Sequence, residues 1–274
     1  MSTRRRWAAA ALALAVVPAG LTGCSGETPS PEAASSPEAA SSSEATPSVG
    51  TASPSDAASP RMPPEVPTPK PDPDDFVDTV DNPYLPYLPG TRWIYENASS
   101  AGRERIVVTV TDRTRMVQGV RTTVVRDTVT DGKGDLVEDT YDWFAQDTSG
   151  NVWYFGEDTT AYEDGKPSKH GSWEAGVDGA QAGIVMLADP RPGDTYQQEF
   201  YAGEAEDRAE VLAVDAKTGV PFGSYSNMVK TADTTPLEPE VEEHKYYAQR
   251  VGFVYEEKVR GGDDRVRLVS MRSR

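Results

Sequence analysis

The sequence LVEDTYDWFAQDTSGNVWYF at residues 136–155 consists of two strand-like runs separated by a polar turn. In the first run apolar and polar residues alternate, so Tyr141 and Trp143 share one face of an extended strand. The turn at 147–151 is rich in Asp, Ser, Gly and Asn. The run at 152–155 is continuously apolar, which indicates a strand buried on both faces. The stretch therefore predicts a hairpin and, with it, an antiparallel β fold.

Similar runs, separated by turns that contain Gly, Asp or Pro, continue on both sides of this hairpin. The predicted strands are 91–95, 105–111, 120–130, 136–146, 152–155, 195–202, 209–214, 225–232, 240–248, 253–259 and 265–271. No stretch shows sustained helical periodicity, although 75–81 could form one helical turn and 204–211 could be helix or strand. About a dozen mostly antiparallel strands without a crossover helix predict an all-β domain. We expect a single large curved antiparallel sheet or an open or closed barrel, with a sandwich as the flatter alternative.

The N-terminus has the pattern of an export signal. Arginines at 4–6 precede an apolar run at 8–17 that is too short to cross a bilayer. Small residues then lead to Leu21-Thr22-Gly23-Cys24, which contains the only cysteine of the chain. This tetrapeptide resembles the lipobox of bacterial lipoproteins, in which the cysteine receives a diacylglycerol and becomes the new N-terminus. Residues 3–7 also resemble a twin-arginine signal, so the general and twin-arginine export routes both stay open.

These features predict three parts of the chain. Residues 1–23 are the lipoprotein signal peptide, 24–75 are the lipidated cysteine and a tether, and 76–274 are the all-β extracytoplasmic domain. From residue 25 the tether has twelve prolines and no aromatic residue, so it cannot bury enough apolar surface to fold, and we interpret it as a disordered linker. Diacylglycerol and palmitate would hold Cys24 at the outer face of the cell membrane.

The charge of the domain restricts its partners. The whole chain carries a net charge of −17, and residues 76–274 contain 22 basic against 35 acidic residues. Such a domain is repelled by nucleic acid and by anionic lipid head groups, so we expect no nucleic-acid partner and assign membrane attachment to the lipid. Without a cysteine beyond Cys24, the domain cannot form an intramolecular disulfide and depends on its core.

Sequence patterns for common enzyme chemistries are lacking. The chain has no Gly-x-Ser-x-Gly elbow, no phosphate-binding P-loop and no GxGxxG fingerprint. Its two histidines, His170 and His244, do not lie in a metal-binding spacing, although Glu242 and His244 would share one face of a strand. We therefore expect no cofactor and no metal, and we favour a protein that is not an enzyme.

Carboxylates are the plentiful reactive groups, and they form three clusters. Their members are Glu138, Asp139 and Asp142, then Glu157 and Asp158, then Glu204, Glu206 and Asp207. Two carboxyls about 5 to 9 Å apart could perform glycosidase acid and base catalysis. Clusters also arise by chance in an acidic chain, and we interpret the face of Glu138 and Asp142 as the solvated side of a half-buried sheet.

The aromatic residues are concentrated between 141 and 173. Trp143, Trp153, Tyr154, Trp173 and Tyr141 could line a sugar platform or an apolar ligand cavity. They could equally form the core of a domain that has no disulfides. We name these five as candidate ligand-binding residues.

Three motifs carry a family resemblance. They are Pro89-Gly90-Thr91-x-Trp93-x-Tyr95, Val220-Pro221-Phe222-Gly223-Ser224-Tyr225 and Tyr246-Tyr247-Ala248-x-x-Val251-Gly252-Phe253-Val254. In this order they resemble signatures of secreted β-rich bacterial proteins and lipoproteins of unknown function, over most of 82–270. The resemblance implies an exported all-β domain and supplies no catalytic residues.

Together these observations predict a membrane-anchored extracytoplasmic lipoprotein whose β domain binds an envelope ligand without catalysis. The ligand would be apolar or lipidic, a glycan, or a partner protein. One alternative is a carboxylate-dependent hydrolase of wall or extracellular polysaccharide. The other is a structural envelope domain without a ligand.

Overall fold

The computed structural model of the chain describes residues 70–163 and 165–273. This part contains a short 3-10 turn, Pro73–Asp75, and sixteen β-strands. The strands are β1 (Phe76–Val77), β2 (Arg92–Ser99), β3 (Gly102–Val117), β4 (Val120–Asp131), β5 (Leu136–Asp147), β6 (Val152–Glu163), β7 (Lys166–Ser168), β8 (Trp173–Glu174), β9 (Gln181–Met186), β10 (Thr195–Gln197), β11 (Glu199–Phe200), β12 (Arg208–Val220), β13 (Gly223–Thr234), β14 (Glu242–Ala248), β15 (Gly252–Arg260) and β16 (Arg265–Arg272). No helix among the described residues is long and apolar enough to span a membrane.

The strands form one antiparallel sheet that is nearly closed into a barrel. Their order is β10-β12-β13-β14-β15-β16-β2-β3-β4-β5-β6-β9-β11, while β1 pairs with β5, and β7 and β8 pair with β6. The two ends of this order, β10 and β11, are separated in the chain by Gln198 alone. Residues Thr195–Phe200, which we call the closure segment, therefore pair with β12 through β10 and with β9 through β11.

The β5–β6 hairpin is fixed by its turn. The Asp147 carboxylate accepts hydrogen bonds from the Asn151 backbone N–H at 2.9 Å and from the Asn151 side-chain amide at 2.8 Å. The indole N–H of Trp153 donates to the same carboxylate at 2.9 Å. An Asp side chain that binds the backbone of its own turn is a common way to hold a tight connection. In this structure it also orients the first large aromatic side chain of β6.

One part of the barrel interior is apolar and filled. Tyr95, Ile106, Val254 and Leu268, from four different strands, are fully buried there or nearly so. The Tyr95 hydroxyl donates to the Phe253 backbone carbonyl at 3.0 Å. A buried phenol that keeps a hydrogen-bond partner adds apolar area without leaving an unpaired polar group.

The all-β prediction is confirmed, and most predicted strands lie within observed ones. The predicted strand 195–202 contains two short strands that belong to different neighbours. Of the ambiguous stretches, 204–211 enters β12 at Arg208, and the 3-10 turn lies just before Phe76. Strand β9 was not predicted, because its sequence, QAGIVM, is preceded by a Gly-rich stretch that indicates a loop.

Closure depends on a glycine in β9. A Cβ atom on Gly183 would collide with backbone atoms of Gln197 and Gln198 in the closure segment. Because main-chain atoms cannot rotate away as side chains can, we expect Gly183→Ala to lower the free energy of unfolding by about 2 kcal/mol. Chemical denaturation followed by tryptophan fluorescence would measure the loss. Gly219→Ala is the matched control, since its Cβ would meet only the Ser224 hydroxyl at 3.5 Å. Equal stability of both variants would contradict this account of closure.

Candidate functional site

The interior face of β5 and β6 carries carboxyl groups instead of apolar side chains. Asp142 on β5 lies opposite Glu157 on β6, two pairs along from the buried Thr140–Thr159 pair and on the same face of the sheet. The Thr159 hydroxyl donates to Glu157 at 2.6 Å, and the Tyr154 hydroxyl donates to Asp142 at 2.9 Å. The alternation of these strands therefore places two acidic side chains and their donors inside the barrel.

The closure segment and the loop after it add two more carboxyls. Glu199 is fully buried and Asp207 is 5% exposed. Both carboxyl oxygens of Glu199 and one oxygen each of Asp207 and Glu157 have no hydrogen-bond partner. The indole N–H of Trp173 is close enough to Glu199 to lower its pKa, although the two groups do not meet the distance and angle of a hydrogen bond. This side of the interior is therefore rich in acceptors and poor in donors.

A buried lysine occupies the other side of the interior. The Lys245 amine on β14 lies 3.1 Å from Asp233 and 3.9 Å from both Glu243 and Glu256. Asp233 also accepts a hydrogen bond from the Thr231 hydroxyl at 2.5 Å. Burial lowers the pKa of Lys245, but these carboxylates outweigh burial and raise the pKa well above its usual value. The amine is therefore a fixed positive charge.

We define the buried carboxyl cluster as the acidic side chains that are at most about 5% exposed. Its members are Asp127, Glu138, Asp142, Glu157, Glu199, Asp207, Asp233 and Glu256. Among the described residues, Lys245 is the one basic side chain buried to the same degree. Eight carboxyls against one amine cannot all be ionised inside a protein, because an uncompensated buried charge is strongly destabilising.

The pKa values respond as this imbalance requires. Burial raises the pKa of Glu138 to about 7 and that of Asp142 to about 8, although hydrogen bonds from Thr140 and Tyr154 oppose the shifts. Burial also raises the pKa values of Glu157 and Glu199 well above the usual range, and neighbouring carboxylates add to both shifts. Several members of the cluster therefore hold protons near neutral pH.

The five candidate ligand-binding aromatics lie in two environments. Tyr154 and Trp173 are buried beside the carboxyls, with their rings 5.3 Å apart in an edge-to-face contact. Trp153 is also buried, which confirms that β6 is covered on both faces at this point. Trp143 and Tyr141 lie on the opposite face of β5, where Arg115 covers Trp143 at 4.1 Å and Arg113 and Arg126 contact Tyr141. A ligand-binding role for these residues stays a prediction.

The expectation of a solvated face at Glu138 and Asp142 is wrong. These side chains are 3% and 2% exposed and point into the barrel. The opposite face, with Tyr141 and Trp143, is the outer one. The sheet closes on itself, so the face that an open sheet would turn to water becomes interior.

The structure separates the three sequence clusters of carboxylates. Glu138, Asp142, Glu157 and Asp207 meet in the interior. The others form polar contacts outside it: Asp139 pairs with Arg126, Asp158 with Lys169, Glu204 lies 3.8 Å from His170, and Glu206 accepts from the Gly203 N–H.

The sequence interpretation missed Glu199, Asp233, Lys245 and Glu256. A signal was available, because Lys245 alternates with the apolar Tyr247 in a predicted strand, and Glu256 alternates with Val254. Period-two alternation places such pairs on one face. The usual rule that charged residues face solvent hides this pattern.

Within residues 70–163 and 165–273, no group of His, Cys, Asp and Glu side chains is arranged to hold a metal ion. His244 lies 3.0 Å from Glu242 on the same strand face, as the alternation predicts. A cavity of about 10 Å³ lies between Tyr87, Trp93, Tyr95 and Phe253, and it is far too small for an acyl chain or a sugar.

No protein-family model matches this chain, and no curated protein matches it in sequence. Two solved structures resemble it. One is a proposed exported protein with a YmcC-like fold from Bacteroides fragilis, with a TM-score of 0.43, 14% identity and coverage of 69% of this chain and 99% of that chain. The other is a proposed lipoprotein from Parabacteroides distasonis, with a TM-score of 0.36, 14% identity and coverage of 72% and 100%. At 14% identity, neither alignment assigns a role to a residue of this chain.

The raised pKa values predict that the domain is more stable in acid than in mild alkali. In the unfolded chain these carboxyls lose their protons near pH 4, whereas in the folded chain Glu138 and Asp142 keep theirs up to about pH 7 and 8. Between these limits the folded state binds more protons, so the free energy of unfolding falls as the pH rises, by up to about 1.4 kcal/mol per pH unit for each group. Urea denaturation at a series of pH values would measure this slope.

Asp142→Asn should make the free energy of unfolding fall less steeply with pH, because one titrating group is removed while an acceptor for Tyr154 remains. The control is Asp139→Asn, on the outer face of the same strand, which should show the same pH dependence as the unmutated protein. A stability that rises between about pH 5 and pH 8 would contradict the assignment.

Removal of the buried amine should be costly. Lys245→Met leaves Asp233 without its counter-charge, and we expect the free energy of unfolding at neutral pH to fall by about 4 kcal/mol. The loss should be smaller in acid, where neighbouring carboxyls can take up protons. Lys217→Met, at an exposed position of β12, is the control and should cost little. A pH-independent loss in the Lys245 variant would show that the amine acts through packing alone.

Proposed function

We propose that this protein is a lipid-anchored extracytoplasmic protein whose β domain serves as a non-catalytic binding module in the envelope. The observation that carries the anchor is the Leu21-Thr22-Gly23-Cys24 sequence after a short apolar run, with Cys24 as the only cysteine. This segment lies outside the described residues. The Pro-rich stretch after it fits a linker that lets the domain stand away from the membrane.

The burial of the carboxyls supports a non-catalytic role. Glycoside hydrolysis needs two carboxyls on opposite sides of a sugar bond, with access for substrate and water. Asp142 and Glu157 are 2% and 1% exposed and face each other inside the barrel. Raised pKa values are therefore explained here by enclosure, and they do not require an active site.

The filled apolar interior bears on the kind of ligand. Phe144 stacks on Tyr154 at 4.9 Å, and Tyr87 lies 4.7 Å from Phe144, so these rings occupy the space that an acyl chain would need. This packing favours a partner that binds the outer surface, such as an envelope protein, over a lipid held inside. The same packing also favours the second candidate, a structural envelope domain without a ligand.

The anchor is tested by Cys24→Ala in the full chain. Without a thiol the diacylglycerol cannot be attached, so we expect an unprocessed precursor or release of the protein from the membrane. Fractionation and metabolic labelling with a palmitate analogue would measure both effects. Ser25→Ala, which leaves the thiol in place, is the matched control. Normal processing, labelling and membrane retention of the Cys24 variant would refute the lipid anchor.

Native followed by denaturing mass spectrometry separates the two candidates. The lipidated chain would be extracted from membranes in detergent after mild chemical cross-linking. The binding proposal expects a defined additional mass of a partner in the cross-linked state, and this mass should disappear when the outer surface is altered. A bare lipidated mass in every preparation would favour the structural candidate.

A further inference from the structure

The closure segment is paired with its neighbours through few residues. On one side β10 pairs with β12 through three residues, and on the other side β11 pairs with β9 through two. By comparison, β3 and β4 pair over most of their length. Few backbone hydrogen bonds thus separate the nearly closed barrel from an open curved sheet.

Carboxyl groups are concentrated at this join. Glu199 belongs to the closure segment itself, and Glu157 and Asp207 act on it electrostatically from β6 and from the loop before β12. The segment is tied to Asp207 by two contacts to its backbone carbonyl, from the Gln198 backbone N–H at 2.8 Å and from the Gln197 side-chain amide at 3.0 Å. Ionised carboxylates would repel one another across these contacts.

Two uncharged polar groups at the same place also lack partners. The indole N–H of Trp173 and the amide oxygen of Gln198 are buried without a hydrogen bond. Trp173 lies opposite Glu157 in the sheet, and the Gln198 amide nitrogen donates to Asp233 at 3.2 Å. A protonated carboxyl is a hydrogen-bond donor, which an unpartnered amide oxygen requires, whereas the N–H of Trp173 favours the ionised form of Glu199.

We propose that protons bound among Glu157, Glu199 and Asp207 hold the closure segment in place, so that the barrel opens at this segment when these carboxyls ionise. The nearest positive charge, Lys245, lies 3.1 Å from Asp233 and lowers the pKa values of Asp207 and Glu199, but burial outweighs it and both pKa values stay well above the usual range. The other titratable groups that act on these carboxyls are Glu138 and Asp142 on β5, Tyr154 on β6, Asp233 on β13 and Glu243 and Lys245 on β14. This inference goes beyond the proposed function and does not depend on the lipid anchor.

Hydrogen exchange of the full chain, followed by mass spectrometry between about pH 5 and pH 9, tests the proposal. After correction for the intrinsic exchange rate, we expect protection of residues 195–207 to fall by about tenfold per pH unit for each proton released. Residues 120–130, in the well-paired β4, exchange through global unfolding, so their protection should stay higher than that of 195–207 at every pH. Equal protection of the two segments across the range, or no change at 195–207, would overturn the proposal.

Glu199→Gln supplies the decisive variant, because it keeps the shape of the side chain and removes its charge. Protection of residues 195–207 from hydrogen exchange should fall less steeply with pH, by the contribution of one released proton. Asp207→Asn provides the same test if the first variant folds poorly. Glu210→Gln, at an exposed position of β12, is the control and should behave as the original chain. A further measurement adds sodium, magnesium or ethanolammonium ions at alkaline pH. If these ions restore the protection of 195–207 and the effect saturates with their concentration, the site binds cations and the proton mechanism is wrong.

Discussion

A carboxyl group enclosed by protein must hold a proton, pair with a cation or accept several hydrogen bonds, and this constraint governs the interior of the barrel. The domain has no disulfide and must stabilise a sheet whose two ends meet in one short segment. It encloses eight carboxyls with one lysine. The amine lies against Asp233 and lowers the pKa values of Glu199 and Asp207 without outweighing their burial, so these carboxyls depend on protons as well. The protonation state of the interior is thereby part of the fold.

The apolar and acidic parts of the interior differ in their response to pH. Tyr95 and Trp93 on β2 donate to backbone carbonyls of Phe253 and Val251, so the aromatic side also holds β15 in place where its pairing with β16 has ended. These bonds involve neutral groups and are insensitive to pH below the range of phenol ionisation. The acidic side lacks such a fixed arrangement. A change in pH therefore acts on one side of the barrel while the other side remains packed.

The sequence predicted the fold class and most strands because local patterns determine them: alternation at 136–146, turn residues at 147–151 and Gly261-Gly262 before β16. It failed where the tertiary fold decides. Whether the strand face that carries Glu138 is exposed to solvent or buried depends on closure of the sheet into a barrel. That closure depends on a six-residue segment that pairs with two different strands. Burial of Lys245 likewise requires carboxyls from β13 and β15, which no single stretch of sequence brings together.

The proposed lipid anchor would expose the domain to the surroundings of the cell. A protein at the outer face of a cell membrane is exposed to the pH of its surroundings, whereas a cytoplasmic protein is buffered by the cell. Glu157, Glu199 and Asp207 lie beside a weakly paired strand segment, so their ionisation acts where few backbone contacts hold the sheet together. With the proposed anchor, the stability of the closed barrel would follow external acidity.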